Sequence, residues 1–424
     1  MTDRIHDWVQ QNRQIIFDTL RQFVAINTEN LAPNGNEKPA QIALKALLEQ
    51  LGCEVDVYEI SSVLGLLEHP KYWTARPCTD RPNVMAIRRG KSSTGRSLIF
   101  SSHMDTVPVG TEPWKHAPWG GEISSGKLWG LGAYDMKAGL IASVMVLKAL
   151  NDLGIVLNGD LMIESVVDEE FGGCNGTLAA RLKYNADLAI VPEPTNLRIC
   201  PAHHGGLMLR VNFVGKSGWG FSPETPIDPV IATAHFIQML ELWAVHRMEI
   251  SSVPAFYSSN PKLPVVVNQL KAGNLNLAFF ADRVPSQAWL TVWIETYPGM
   301  TEKDVLQDLE AFYRQTQTTN TVLTAFEPQF TPLRWLDGSE IKPNHPGLEM
   351  LTRVTSETRG QAAIVQGAEF ACDGHMFNLY SSTPMILLGP TGGQPHSPDE
   401  FINTQDYLQL VEIFIRAAIE WCGE

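Results

Sequence analysis

The 424-residue sequence predicts an α/β protein: a larger domain with a central mixed sheet covered by helices, interrupted by a smaller α+β domain. Three observations carry that expectation. The chain is longer than the size at which one hydrophobic core stops growing, which favours two domains. Short apolar runs alternate with segments of helical periodicity, the pattern of a sheet with helical cover. Between about residues 206 and 327 the texture changes to strands and helices of a different arrangement.

Residues 7–23 and 39–51 carry apolar side chains at three- and four-residue intervals, as amphipathic helices do, and 52–60 (GCEVDVYEI) then reads as a strand. Further apolar runs lie at 97–102 (SLIFSS), 161–167 (LMIESVV), 187–191 (DLAIV) and 384–390 (PMILLGP), with helical stretches such as 137–153 between some of them. In the inserted region, 207–215 (LMLRVNFVG) and 288–298 (AWLTVWIETYP) read as strands, and 228–247 and 301–317 as helices. The Pro- and Ser-rich stretch 251–264 reads as an irregular loop. The sequence has no internal repeat and no low-complexity segment.

A hydrophobic content of 44% supplies two cores. Acidic residues outnumber basic ones, 46 to 32, for a net charge of −14, and no Lys/Arg run or basic–aromatic stripe stands out. That balance argues against a nucleic-acid partner. The opening MTDRIHDWVQQNRQIIF mixes charged and apolar residues at helical spacing, without the unbroken apolar segment of a signal peptide or membrane span. The expectation is a cytoplasmic protein that does not engage a membrane. Six cysteines lie far apart with no CxxC pair, so free thiols are expected.

Candidate chemistry concentrates where the apolar runs end. After 97–102 come His103 and Asp105, spaced so that both side chains project from one side of an extended segment. A carboxylate so placed holds an imidazole, as metal-bound histidines require, although a structural His–Asp pair fits equally well. The glycine-rich 129–135 ends in Asp135, which suits a helix N-cap as much as a ligand. Run 161–167 leads into Asp168, Glu169 and Glu170, adjacent carboxylates whose repulsion calls for compensation. A metal cluster supplies it; a solvated acidic loop is the alternative. Glu193 follows the 187–191 run, and His396 lies in the loop after the last apolar run.

In order and spacing these five elements resemble the co-catalytic zinc amidohydrolase superfamily of acetylornithine deacetylase, succinyl-diaminopimelate desuccinylase, aminoacylase and glutamate carboxypeptidase. The resemblance spans nearly the whole chain and implies that His103, Asp135, Glu170, Glu193 and His396 are metal ligands, with Asp135 bridging two divalent ions. It makes Asp105 the residue that orients His103, and Glu169 the general base. Two histidines and three carboxylates suit zinc, with cobalt or manganese as substitutes. The implied architecture is a discontinuous catalytic domain, 1–206 and 328–424, interrupted by a lid, 207–327, through which many relatives form homodimers. The implied activity is hydrolysis of an amide bond in a small-molecule substrate, an N-acylated amine or amino acid. Segments 64–70, 81–84 and 164–177 look most like the deacylase branch that includes formylaminopyrimidine deformylase-like enzymes. A dipeptidase or carboxypeptidase with the same centre is the alternative, as is a specialised biosynthetic or non-hydrolytic relative.

The lid departs from the family pattern. Trp219 stands where most relatives carry a histidine that stabilises the oxyanion, Asp282 where Asn is usual and Glu295 where Arg is usual. An indole N–H donates one hydrogen bond but carries no positive charge. His203, His204 or His375 would then supply the missing donor, or the lid has been remodelled for an unusual substrate, or hydrolysis has been lost. The complete ligand set with Glu169 favours retained catalysis. Trp219 and Phe221 suit a flat or apolar ligand, and Trp219, His204 and His375 are the expected substrate residues.

Overall fold

The strands Leu98–His103, Leu161–Val166 and Leu188–Val191 are buried along their whole length. Strands covered on both faces read as near-continuous apolar runs and not as alternations, which is why these stood out. This computed structural model describes every residue except 1, 32, 93, 171, 173, 221–226 and 274–282, so Phe221 and Asp282 lie outside the described residues. The chain divides into two compact units: Met1–Ala202 with Glu340–Ala368 and Asp373–Glu424, and His203–Ser339 with Glu369–Cys372.

In the first unit, Leu98–His103 pairs in parallel with Leu161–Val166 on one side and Leu188–Val191 on the other, with His103 opposite Val166. Met385–Leu387 extends the parallel set beside Leu188–Val191. Pro82–Arg88 and then Glu54–Glu59 add antiparallel strands at the far side, completing a mixed six-stranded sheet. Four parallel strands end on the same edge, so the segments that follow them converge there. Those segments contain His103 to Asp105, Asp168 to Glu170, Glu193 and the 389–400 loop.

Helical cover explains the rest of the apolar pattern. Helix Ala138–Leu153 is buried nearly all round and packs on the strand Leu98–His103 and the helix Thr404–Cys422. Each Leu, Ile or Val so enclosed contributes about 1.5–3 kcal/mol. Gly154 ends it in the left-handed conformation, φ 66°, as helix C-termini favour. A small antiparallel sheet of Glu122–Ser124, Lys127–Trp129, Phe401–Asn403 and Gly392–Gly393 ties the glycine-rich loop to the 389–400 loop. The expected helix 7–23 is two helices, Thr2–Gln11 and Arg13–Val24. They break at Asn12, whose backbone leaves the helical region at φ −99°, ψ 8° while its side-chain amide and its N–H both donate to the Trp8 carbonyl at 2.9 Å.

The second unit is an antiparallel sheet in the order Val265–Ala272, Gln287–Thr296, Ala202–Val214, Gln329–Leu336. Its core holds Leu207, Leu209, Phe213, Phe236, Trp243 and Leu290, drawn from the sheet and the two helices Pro229–Ile250 and Glu302–Gln317. Both helices begin with a side-chain cap, Asp228 on the Val230 N–H and Thr301 on the Asp304 N–H.

Candidate metal centre

His103 closes its strand, and its Nδ1 lies 2.9 Å from the main-chain carbonyl of Asp105. A carbonyl acceptor keeps the proton on Nδ1 and turns the Nε2 lone pair outward, the tautomer a metal ligand needs. The sequence assigned that task to the Asp105 carboxylate, which stands 3.6 Å from the ring nitrogen. Three N–H donors hold the carboxylate instead: Asn30 Nδ2 at 2.7 Å and the backbone of Glu169 and Glu170 at 3.2 and 3.0 Å. Asp105 therefore fixes the acidic turn as well as the imidazole.

Asp135 is presented by a turn that only glycine can make. Gly132 has φ +74°, and a Cβ there would meet the Thr106 methyl at 2.4 Å. The buried Glu400 carboxylate accepts from the N–H groups of Gly132, Tyr134 and Asp135 at 3.0, 2.7 and 3.0 Å, pinning the turn. Asp135 thereby stands between two histidines. Its Oδ1 is 3.2 Å from His103 Nε2, and its Oδ2 is 3.3 Å from His396 Nε2. His396 Nε2 also lies 2.9 Å from Glu170 Oε2, and His103 Nε2 lies 4.0 Å from Glu193 Oε1. Two sets of donor atoms, His103–Asp135–Glu193 and Asp135–Glu170–His396, each fall within 4.8 Å, and Asp135 belongs to both. A third set, Glu169–Glu193–Asp373, is equally close.

The electrostatics agree with a site built for cations. Burial opposes charge on Glu169, Glu170 and Glu193 and raises their proton affinity, which neighbouring carboxylates raise further. Burial also works against the charge on Asp135, but hydrogen bonds with His103 and His396 hold its carboxyl well below the usual range. The Glu170 carboxylate pushes His396 up to about 12. Buried carboxylates with raised proton affinity are the kind of donors that a bound cation would compensate. Glu193 Oε1 is buried with no hydrogen-bond partner among the described residues, an acceptor whose desolvation only a cation or proton relieves. The donors present therefore fit divalent metal ions.

Two residues at this edge carried no sequence signal. Asp373 follows a short strand with nothing apolar-periodic to mark it, and Glu400 is one acid in an acidic loop. None of the expected substrate residues is a member of a donor set. Trp219, in the second unit, is 53% exposed beside Arg283 on a two-residue strand pair. His204, in the same unit, is buried, stacked on Tyr257 at 4.7 Å, and 3.5 Å from Glu295 Oε2. His375 is buried at the start of the helix His375–Tyr380 of the first unit.

Residues 99–420 match the model of peptidase family M20/M25/M40. The chain belongs to this family. Membership makes the M20 chain a metal-dependent hydrolase of amide bonds. It is 25% identical to N-formyl-4-amino-5-aminomethyl-2-methylpyrimidine deformylase of Halalkalibacterium halodurans, over 98% of this chain and 96% of that one. It is 26% identical to acetylornithine deacetylase of Photorhabdus laumondii, over 91% of this chain and 92% of the relative. The crystal structure of human carnosine dipeptidase 1 shares the M20 fold, with a TM-score of 0.75 at 14% identity, covering 99% of this chain and 98% of that one.

Proposed function

We propose that this M20 enzyme hydrolyses the amide bond of a small N-acylated amine, with a formyl or acetyl group as the acyl part. The observation that carries the reading is the pair of donor sets joined at Asp135. His103 and Glu193 would hold one divalent ion and Glu170 and His396 the other, with Asp135 a member of both donor sets; zinc is the proposed metal, cobalt or manganese its substitutes. The relatives that act as a deformylase and a deacetylase supply the substrate class.

When bound, such ions polarise the scissile carbonyl and make water acidic enough to attack near neutral pH. Glu169 takes a proton from the attacking water and passes it to the departing nitrogen, so that amide and water become a carboxylic acid and an amine. Its backbone N–H is held by Asp105, which keeps the base beside the ligand Glu170. Trp219, with its exposed indole, is proposed to contact the substrate. His204 and His375 are proposed to serve the substrate site as well, from buried positions.

A homodimer through the second unit is also proposed. Among the described residues the sheet ends in the strand Val265–Ala272 with Val266 and Leu270 half-exposed, and Leu242 and Val245 are exposed on the helix Pro229–Ile250. Edges and apolar patches of this kind are usually covered. Among the described residues no helix is long and apolar enough to cross a membrane, and six free cysteines support a reducing, cytoplasmic setting.

The test is amine release by the zinc- or cobalt-loaded protein from N-formyl, N-acetyl, N-succinyl and N-carbamoyl compounds and dipeptides. Turnover is expected on formyl or acetyl amines, falling by about 10²- to 10⁴-fold in Glu169→Gln while bound metal is unchanged. Turnover confined to dipeptides would replace the deacylase reading. Full activity in Glu169→Gln would remove it as the base.

A further inference from the structure

Behind the donor sets lies a buried charge network that the reaction above does not use. Asp168, with φ +68°, opens the acidic turn in a conformation that side chains rarely adopt. Two guanidiniums converge on its Oδ1, Arg76 Nε at 2.9 Å and Arg81 Nη1 at 2.8 Å, and all three side chains are at most 2% exposed. Asn30 links this ion triplet to the site. Its Nδ2 donates to Asp105 Oδ2 at 2.7 Å and to Asp168 Oδ1 at 3.2 Å, while its Oδ1 accepts from both Arg76 and Arg81. Arg81 is in turn anchored by the buried Glu37. The amide thus has its donor side on the carboxylates and its acceptor side on the guanidiniums, an orientation that charge alone selects.

The chain of contacts has a direction. Arg76 and Arg81 fix Asn30 and Asp168, Asn30 fixes Asp105, and Asp105 accepts the backbone N–H groups of Glu169 and Glu170. We propose that Arg76, Arg81 and Asn30 are positioning residues that set where the base Glu169 and the ligand Glu170 stand. The proposal rests on the metal-hydrolase reading of the site.

Asn30→Asp tests it with almost no change of shape: the acceptor facing the arginines stays, and the donor facing Asp105 and Asp168 becomes a repelling oxygen. Leu48→Ala, a fully buried apolar truncation outside the network, controls for lost stability. Zinc affinity, measured by competition with a chelator, is expected to fall by about 10- to 100-fold in Asn30→Asp. The visible absorption of the cobalt-loaded protein shifts, and kcat drops on the order of 10²-fold with KM little changed. Leu48→Ala lowers Tm alone. If Asn30→Asp does not fold, Arg81→Lys decides, since it keeps the charge but loses the planar fork, and the same losses in smaller degree are expected. Variants that match Leu48→Ala, with wild-type metal affinity, spectrum and kcat, overturn the proposal and leave the network purely structural. A wild-type protein that binds no metal overturns the hydrolase reading, and the proposal with it.

Discussion

Glu164, on the strand that leads into the acidic turn, and Arg181, on the helix Asn175–Lys183, form an ion pair with neither side chain exposed. Ser101 Oγ donates to Glu164 Oε1 at 2.8 Å, and Arg181 Nη1 donates to the Tyr184 carbonyl at 3.0 Å, with the guanidinium 4.2 Å from the Phe377 ring centroid. Taking both ions from water costs several kcal/mol each, and their attraction offsets this only while both are present. Arg181→Met keeps the bulk of the chain but strands the carboxylate, so it should cost about 3–5 kcal/mol. Adding Glu164→Met should recover much of that, a coupling of up to about 3 kcal/mol. Urea unfolding of the four proteins measures it, as a change in midpoint with the slope unchanged.

The same variant carries a pH signature. Burial already raises the Glu164 carboxyl above its ordinary value of 4.5, against the pull of Arg181. Without the arginine, the folded state holds a proton that the unfolded chain releases. The stability of Arg181→Met should therefore fall as pH climbs above 4.5, by up to about 1.4 kcal/mol per unit. A loss under about 1 kcal/mol, or a double variant that costs the sum of its parts, would refute the account.

Asp135→Ala removes an oxygen from both donor sets, so the protein should lose the stabilisation that zinc gives the wild type, about 2.7 kcal/mol at a hundred times Kd. Thermal unfolding with and without zinc checks this; an unchanged zinc shift would remove Asp135 from the centre. Leu270→Lys places a charge on the exposed edge strand Val265–Ala272 and should convert a dimer to monomer in sedimentation without loss of fold. A wild type that sediments as a monomer would exclude the interface.

The parallel strands were legible because burial on both faces leaves an apolar run with a polar residue at or just past its end, as at His103 and Glu193. The helix Glu302–Gln317 was legible through its threonine cap and its period. The strands of the small sheet, two or three residues each, are too short to carry a period, so the tie between the two loops was invisible. The true partners of Asp105 were invisible for another reason: Asn30, Glu169 and Glu170 become its donors only once distant segments meet. Asp373 and Glu400 are of the same kind. The break at Asn12 is a change of backbone angle at one residue, which helical spacing does not register.

The two donor sets draw on different stretches of the chain. His103, Asp135 and Glu193 all precede residue 194 and sit on adjoining parallel strands or the turn beside them. The other set waits for His396, whose loop follows the last parallel strand and is tied down by Phe401–Asn403. The first set waits for the same segment, because Glu400 pins the turn that presents Asp135. The assembled donor arrangement therefore marks a chain whose C-terminal segment has docked.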